Sequence, residues 1–120
     1  MRPSIGSLTV TLMALTAVLL RAGASESSAS DQSDFLKELN ASMMKMHAAM
    51  NIPPTGNIDA DFVALMTPHH QGAIDMAQIQ LHYGHNEQLR RIAQEMIVEQ
   101  QQEIVAMKRA LATPVMPGPK

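Results

Sequence analysis

Two interruptions divide this chain and leave little but helix between them. Asn51-Ile52-Pro53-Pro54-Thr55-Gly56-Asn57 carries two prolines and a glycine, and Gly84-His85-Asn86 is a short polar turn. Proline removes a backbone donor and clashes with the preceding helical turn, so the first stretch cannot continue a helix, while the second reads as a turn with Asn86 as a cap. On either side the apolar residues recur at three- and four-residue spacing, and no run alternates with the period of two that a strand needs. The spacing predicts helices from Ser33 or Asp34 to about Met50, from Asp59 or Asp61 to about Tyr83, and from a cap at Asn86 to about Ala112. Short connections between amphipathic helices make neighbours antiparallel, so the expected fold class is all-α, an antiparallel helical bundle.

The expected inward faces follow from 100° per residue. The first helix aligns Leu36, Leu39, Met43, Met46, His47 and Met50. The second aligns Phe62, Met66, Ala73, Ala77 and Gln80, with His69 and His70 on the two shoulders of that stripe. The third aligns Leu89, Ala93, Met96, Gln100, Glu103, Met107 and Leu111. Three helices enclose a thin core at this size, so self-association into a larger bundle, a homo-oligomer, is expected.

What fills those faces is unusual. The chain holds 11 methionines in 120 residues, no cysteine, no tryptophan, one tyrosine and two phenylalanines. Without cysteine there are no disulfides, thiolate zinc sites or iron–sulfur clusters. Residues 1–24 read as a cleaved signal peptide: Arg2, an apolar run from Ile5 to Leu20, then Ala22-Gly23-Ala24 as a small-x-small junction. The run is shorter than the ~20 residues a spanning helix needs. Export to a periplasm or the cell exterior is therefore expected, with no stable membrane insertion after cleavage. Residues 25–33 are polar and Ser-rich and are expected as a disordered spacer. Residues 34–112 form the helical domain, and the Pro-rich residues 113–120 a disordered tail. The whole chain carries a net charge of −2, and losing Arg2 and Arg21 makes it more acidic, with no basic face for nucleic acid.

The residues that carry chemistry are imidazoles and thioethers. Met66-Thr67-Pro68-His69-His70-Gln71-Gly72-Ala73-Ile74-Asp75-Met76 sets adjacent histidines between two methionines. The first helix repeats the arrangement in Met43-Met44-Lys45-Met46-His47-Ala48-Ala49-Met50. A methionine on a helical face is ordinarily core filler, and a lone inward histidine is ordinarily a hydrogen-bonded core residue. Four methionines within eight residues, with His47 among them, exceed what filling requires. Thioether and imidazole together suit copper, above all in its soft monovalent form. Met43, Met46, His47, Met50, Met66, His69, His70 and Met76 are the expected metal ligands. Gln100 and Glu103 are polar anomalies in the inward stripe of the third helix. Glu103 is expected to accept the distal N–H of His69 or His70 and orient the ring, or else to make an ordinary interhelical bond or lie at a bundle edge exposed to water. His82 and His85 bracket the turn and are expected in solvent.

Pro68 interrupts the second helix beside the histidine pair. Either the helix kinks there, or Thr67 caps a fresh start with Pro68 at its first position. Enzyme signatures are absent: there is no Glu-x-x-His pair for a di-iron site, no His-Glu-x-x-His, no phosphate loop and no nucleophile elbow. No catalytic residue is assigned, and a metal-dependent redox enzyme is the weakest of the alternatives.

Phe62-x-x-x-Met66-x-x-His69-His70-x-x-Ala73-x-x-Met76-Ala77, followed by Ile97-x-x-Gln100-x-x-Glu103-Ile104-x-x-Met107, resembles domain-of-unknown-function family 305. The resemblance covers Asp59 to Leu111. It implies an exported, ferritin-like helical protein and a copper ion handled by Met and His, since the family includes copper-binding, copper-resistance members. Carried over, Met66, His69, His70, Met76 and Met107 are the motif positions near metal, with Gln100 and Glu103 in the polar part. Ala110 departs from the pattern, standing where a bulky residue, often tryptophan, is expected. The resulting expectation is an exported copper-binding protein that sequesters or transfers Cu(I), with Cu(II) or Ag(I) as further cargo, in metal tolerance and with a copper-transfer partner. The alternative is a periplasmic helical chaperone or interaction module whose Met-rich faces grip other proteins.

Overall fold

The computed structural model describes the backbone of residues 8–113 and the side chains from residue 28 to 113. It contains three helices, α1 (Leu8–Met50), α2 (Ile58–Tyr83) and α3 (Glu87–Ala112), and no strand among the described residues. The chain divides into two compact units, residues 1–34 and residues 35–120. The first unit is described only as helix from Leu8. The proposed leader and its Ala22-Gly23-Ala24 junction lie among residues whose side chains are outside the described set, as does the tail from residue 114. No helix among the described residues is long and apolar enough to cross a membrane.

The expected start of the first helix needs correcting. Ser33 and Asp34 cap nothing, because α1 is already helical through residues 25–33. Between Gly23 and Met50 there is no glycine or proline to stop it. Extending an existing helix costs far less than nucleating one. The polar character of that stretch shows instead in its side chains, which are exposed from residue 28 to 34.

The second unit is built around α2. Asn57 caps it, its side chain accepting from the Ala60 amide, and Asn86 caps α3 by accepting from the Gln88 and Leu89 amides. Gly56 makes the turn into α2 at φ +89°, where a side chain would be strained. The Asp61 carboxylate closes that turn by accepting from the Thr55 amide at 2.9 Å and the Thr55 hydroxyl at 2.6 Å. Pro68 leaves α2 unbroken, and the Thr67 hydroxyl, buried without a partner, does not cap a new start. Packing on both sides holds the helix through the lost bond.

α1 and α3 flank α2 on nearly opposite sides, each antiparallel to it. Toward α1, Lys45 pairs with Asp75 at 2.9 Å, the Tyr83 hydroxyl donates to Glu38 at 2.8 Å, and Phe35 meets Tyr83 edge-on with centroids 6.0 Å apart. Met46 lies directly over Gly72: a Cβ there would sit 2.8 Å from Met46 Cγ and 3.0 Å from its Cβ. Gly72, which weakens an isolated helix, is thus what lets α1 approach. Toward α3, the Arg90 guanidinium donates to the carbonyls of Leu81 and Gly84, and His70 reaches Glu103. The buried apolar residues are Ile74, Ala77, Ile79 and Ala93. The core is therefore two thin seams, one on each side of α2.

This placement corrects the expected inward faces. α1 turns Phe35, Leu39, Ser42, Met46 and Met50 inward and leaves Leu36, Met43 and His47 exposed. α3 turns Arg90, Ala93, Ile97, Gln100, Ile104 and Met107 inward, while Leu89, Met96, Glu103 and Leu111 are exposed. Phe62 is 55% exposed. The cause is shared: small residues (Ser42, Gly72, Ala93) occupy the lines of closest approach, rotating each helix away from its bulkiest stripe.

Candidate metal-binding face

His70 is the organised element of the site. It is 9% exposed and faces α3. Its Nδ1 lies 2.8 Å from the Met66 carbonyl oxygen, which can only accept, so Nδ1 carries a proton and donates. Its Nε2 lies 2.7 Å from Glu103 Oε2. A ring nitrogen and a carboxylate oxygen at that distance hold a proton between them. Gln100 Nε2 donates to the same oxygen at 3.3 Å.

The expected role of Glu103 is thereby altered. It does meet one of the paired histidines, as the stripe on α3 suggests, but the Met66 carbonyl is what orients the ring. Glu103 stands instead on the nitrogen that a cation would need. With Nδ1 committed to a carbonyl, Nε2 is the one ring nitrogen of His70 left that could ligate a cation. A cation reaching it would take the proton's place beside a carboxylate that is 56% exposed. Glu103 is thus positioned as a co-ligand or a gate, with Gln100 steadying it.

His69 diverges from His70, its ring centroid 6.1 Å away at an interplanar angle of 64°. It is exposed, as are His47, His82 and His85. Among the described residues no three His, Asp or Glu side chains converge as a set able to hold a metal ion. Met46 is spent on packing over Gly72. Met50, Met66, Met76 and Met107 are half-buried, and Met43 is exposed.

The two broad faces of the α1–α2–α3 layer differ in chemistry. One is marked by the Lys45–Asp75 pair and a groove of ≈ 360 Å³ lined by Glu38, Ala41, Asp75, Gln78, Ile79 and His82. The other is marked by a groove of ≈ 500 Å³ whose lining includes Phe62, Val63, Met107, Ala110 and Leu111. At about 100° per residue, Met43, His47 and Met50 lie on the flank of α1 away from Ala41 and Lys45. Met66, His69 and Met76 lie on the flank of α2 away from Gln71, Gln78 and His82, alongside Phe62. Glu103 and Met107 share their flank of α3 with Met96. Every expected ligand except Met46 is on or at the edge of this second face, and the small Ala110 leaves the ≈ 500 Å³ groove at its end. The tilt of α1 and α3 against α2, which decides the face, has no signature in the spacing of any one helix.

No curated protein matches the chain. The family model described as "domain of unknown function (DUF305)" matches residues 9–111. That match takes in all three helices where the motif resemblance reached only α2 and α3, and the chain belongs to the DUF305 family.

Proposed function

We propose that this protein is an exported copper carrier, taking Cu(I) as cargo on the Met- and His-bearing face of a ferritin-like helical layer and serving metal tolerance by sequestration or transfer. The observation that carries this reading is the gathering of thioethers and imidazoles from three helices on one face, around a histidine whose tautomer is set by the Met66 carbonyl. A cation there would find His70 and Glu103 but, among the described residues, no third His, Asp or Glu side chain converging with them. Completing its coordination draws on sulfur, which favours a soft ion over a hard one. Glu103 would assist release: once the cation left Nε2, that nitrogen would take a proton from solvent and donate it to the Glu103 carboxylate again.

The test is competition with a Cu(I) chelator, using the purified full chain. His69→Ala and the His69→Ala/His70→Ala pair are expected to lower affinity in that order, the pair by at least tenfold, with helicity retained by circular dichroism. Wild-type affinity in a folded double variant refutes the proposal.

A further inference from the structure

The face that bears the candidate ligands is also the most apolar exposed surface among the described residues. Leu36, Met43, Phe62, Leu89, Ile92 and Met96 are between 37% and 55% exposed there. They lie on three different helices, so they form a surface and not a stripe. Among the described residues near its centre, Glu103 pairs with His70, and the other ionisable side chains are the imidazoles of His47 and His69. The opposite face carries Lys45, Asp75, Glu38 and His82 and is built to stay wet.

We infer that this face is the contact between two copies of the chain, packed layer on layer about a two-fold axis. Size supports the choice of partner. Phe62 to Gln80 spans about 28 Å of α2 at about 1.5 Å per residue. Three helices at about 9 Å spacing are about 27 Å wide. The face thus offers roughly 700 Å², close to the ~800 Å² that each partner gives to a standard interface. Charge supports it too: a two-fold axis sets each patch against itself, which suits a surface whose central carboxylate, Glu103, is already paired and which sets no lysine or arginine against its own copy. The layer itself is one helix thick, and among the described residues its buried apolar side chains are Ile74, Ala77, Ile79 and Ala93, which leaves it short of core. Pairing converts two thin seams per copy into a closed bundle.

The pairing bears on the copper reading without depending on it. One copy holds no ready group of three His, Asp or Glu ligands among the described residues. Two copies face to face bring a second set of thioethers and imidazoles across the same gap, so a bound cation draws ligands from both.

Sedimentation velocity on the full chain in chelator-treated buffer tests the pairing free of metal. The wild type is expected to be dimeric at micromolar concentration. Met96→Glu, on the apolar face, is expected to weaken association at least tenfold. Val98→Glu starts from a residue 52% exposed on the far side of α3 and is expected to leave it unchanged. Because the chain has no cysteine, single Phe62→Cys, Met96→Cys and Val98→Cys variants add a readout that does not depend on stability. Bis-maleimide cross-linking to dimer is expected at one or both of the first two positions and not at the third. A monomeric wild type refutes the inference, whether or not it binds lipid vesicles, and so does a dimer broken equally by Val98→Glu or by neither variant. Copper binding by a chain that stays monomeric leaves the carrier reading standing and removes only the pairing. A metal-free dimer that binds no copper does the reverse.

Discussion

Gly72→Ala should destabilise this protein, although alanine is the better helix former. In an exposed helix interior the exchange would gain about 0.8–1 kcal/mol. Here the new Cβ would lie 2.8 Å from Met46 Cγ and 3.0 Å from Met46 Cβ. The Met46 sulfur lies closer still, so Met46 must leave its rotamer or α1 must shift away from α2. Overpacking of this kind costs about 1–3 kcal/mol, which outweighs the gain and leaves a net loss of about 1 kcal/mol. The double-mutant cycle sharpens the argument. Met46→Ala removes Cγ and the sulfur and leaves only Cβ at its 3.0 Å contact, so in that background Gly72→Ala should cost nothing or stabilise slightly. The coupling should be about 1–2 kcal/mol, within the range for residues in contact. Urea denaturation followed at 222 nm reads both single variants and the pair, with a constant m-value as the check on two-state behaviour. If Gly72→Ala stabilises the wild-type chain, α1 is not seated on Gly72, and the common face of α1 and α2 is lost with it. The variant also links packing to cargo: moving α1 outward carries Met43, His47 and Met50 away from His69, so Cu(I) affinity should fall with stability.

Other outcomes follow from single contacts. Glu103→Gln keeps shape but removes the charge facing His70 Nε2; it should cost about 1 kcal/mol in urea, modest because Glu103 is half in water. The same variant should alter the pH dependence of Cu(I) competition, and an unchanged profile would show that Glu103 does not contest that nitrogen. The Thr55 hydroxyl and amide hold the Asp61 carboxyl below its ordinary value. The stability this contributes is present above the unfolded carboxylate pKa of about 3.9 and is lost as pH falls through the lower folded value. Asp61→Asn should therefore flatten the acid limb of a Tm-against-pH curve, and an unchanged limb would place that acid sensitivity elsewhere.

The reach of the sequence can be judged residue by residue. Asn57 and Asn86 sit immediately before helical-period runs and do cap them, because an N-cap is a local bond between a side chain and amides two or three residues on. The helix ends at Met50, Tyr83 and Ala112 follow equally from local breakers. Ser33 failed as a start for the complementary reason: a capping residue marks a boundary only where no helix already runs through it. Glu103 was legible as a partner for one of the paired histidines, being a carboxylate that shares a helical stripe with Met96, Met107 and other apolar positions. That it meets His70 at the nitrogen left over by the Met66 carbonyl was not, since that depends on how far α3 is rotated.

The order of helices, their caps, their antiparallel course and the soft-ligand inventory were settled by the chain alone, because each rests on interactions within a few residues. Which flank of each helix is buried, which histidine turns in, and that Met43, Met50, Met66, Met76 and Met107 share one side of a layer were decided only in three dimensions. The reason is steric. Ser42, Gly72 and Ala93 let neighbouring backbones close along the lines of smallest side chains, and that choice of contact, not the strength of any single apolar stripe, sets the rotation of every helix.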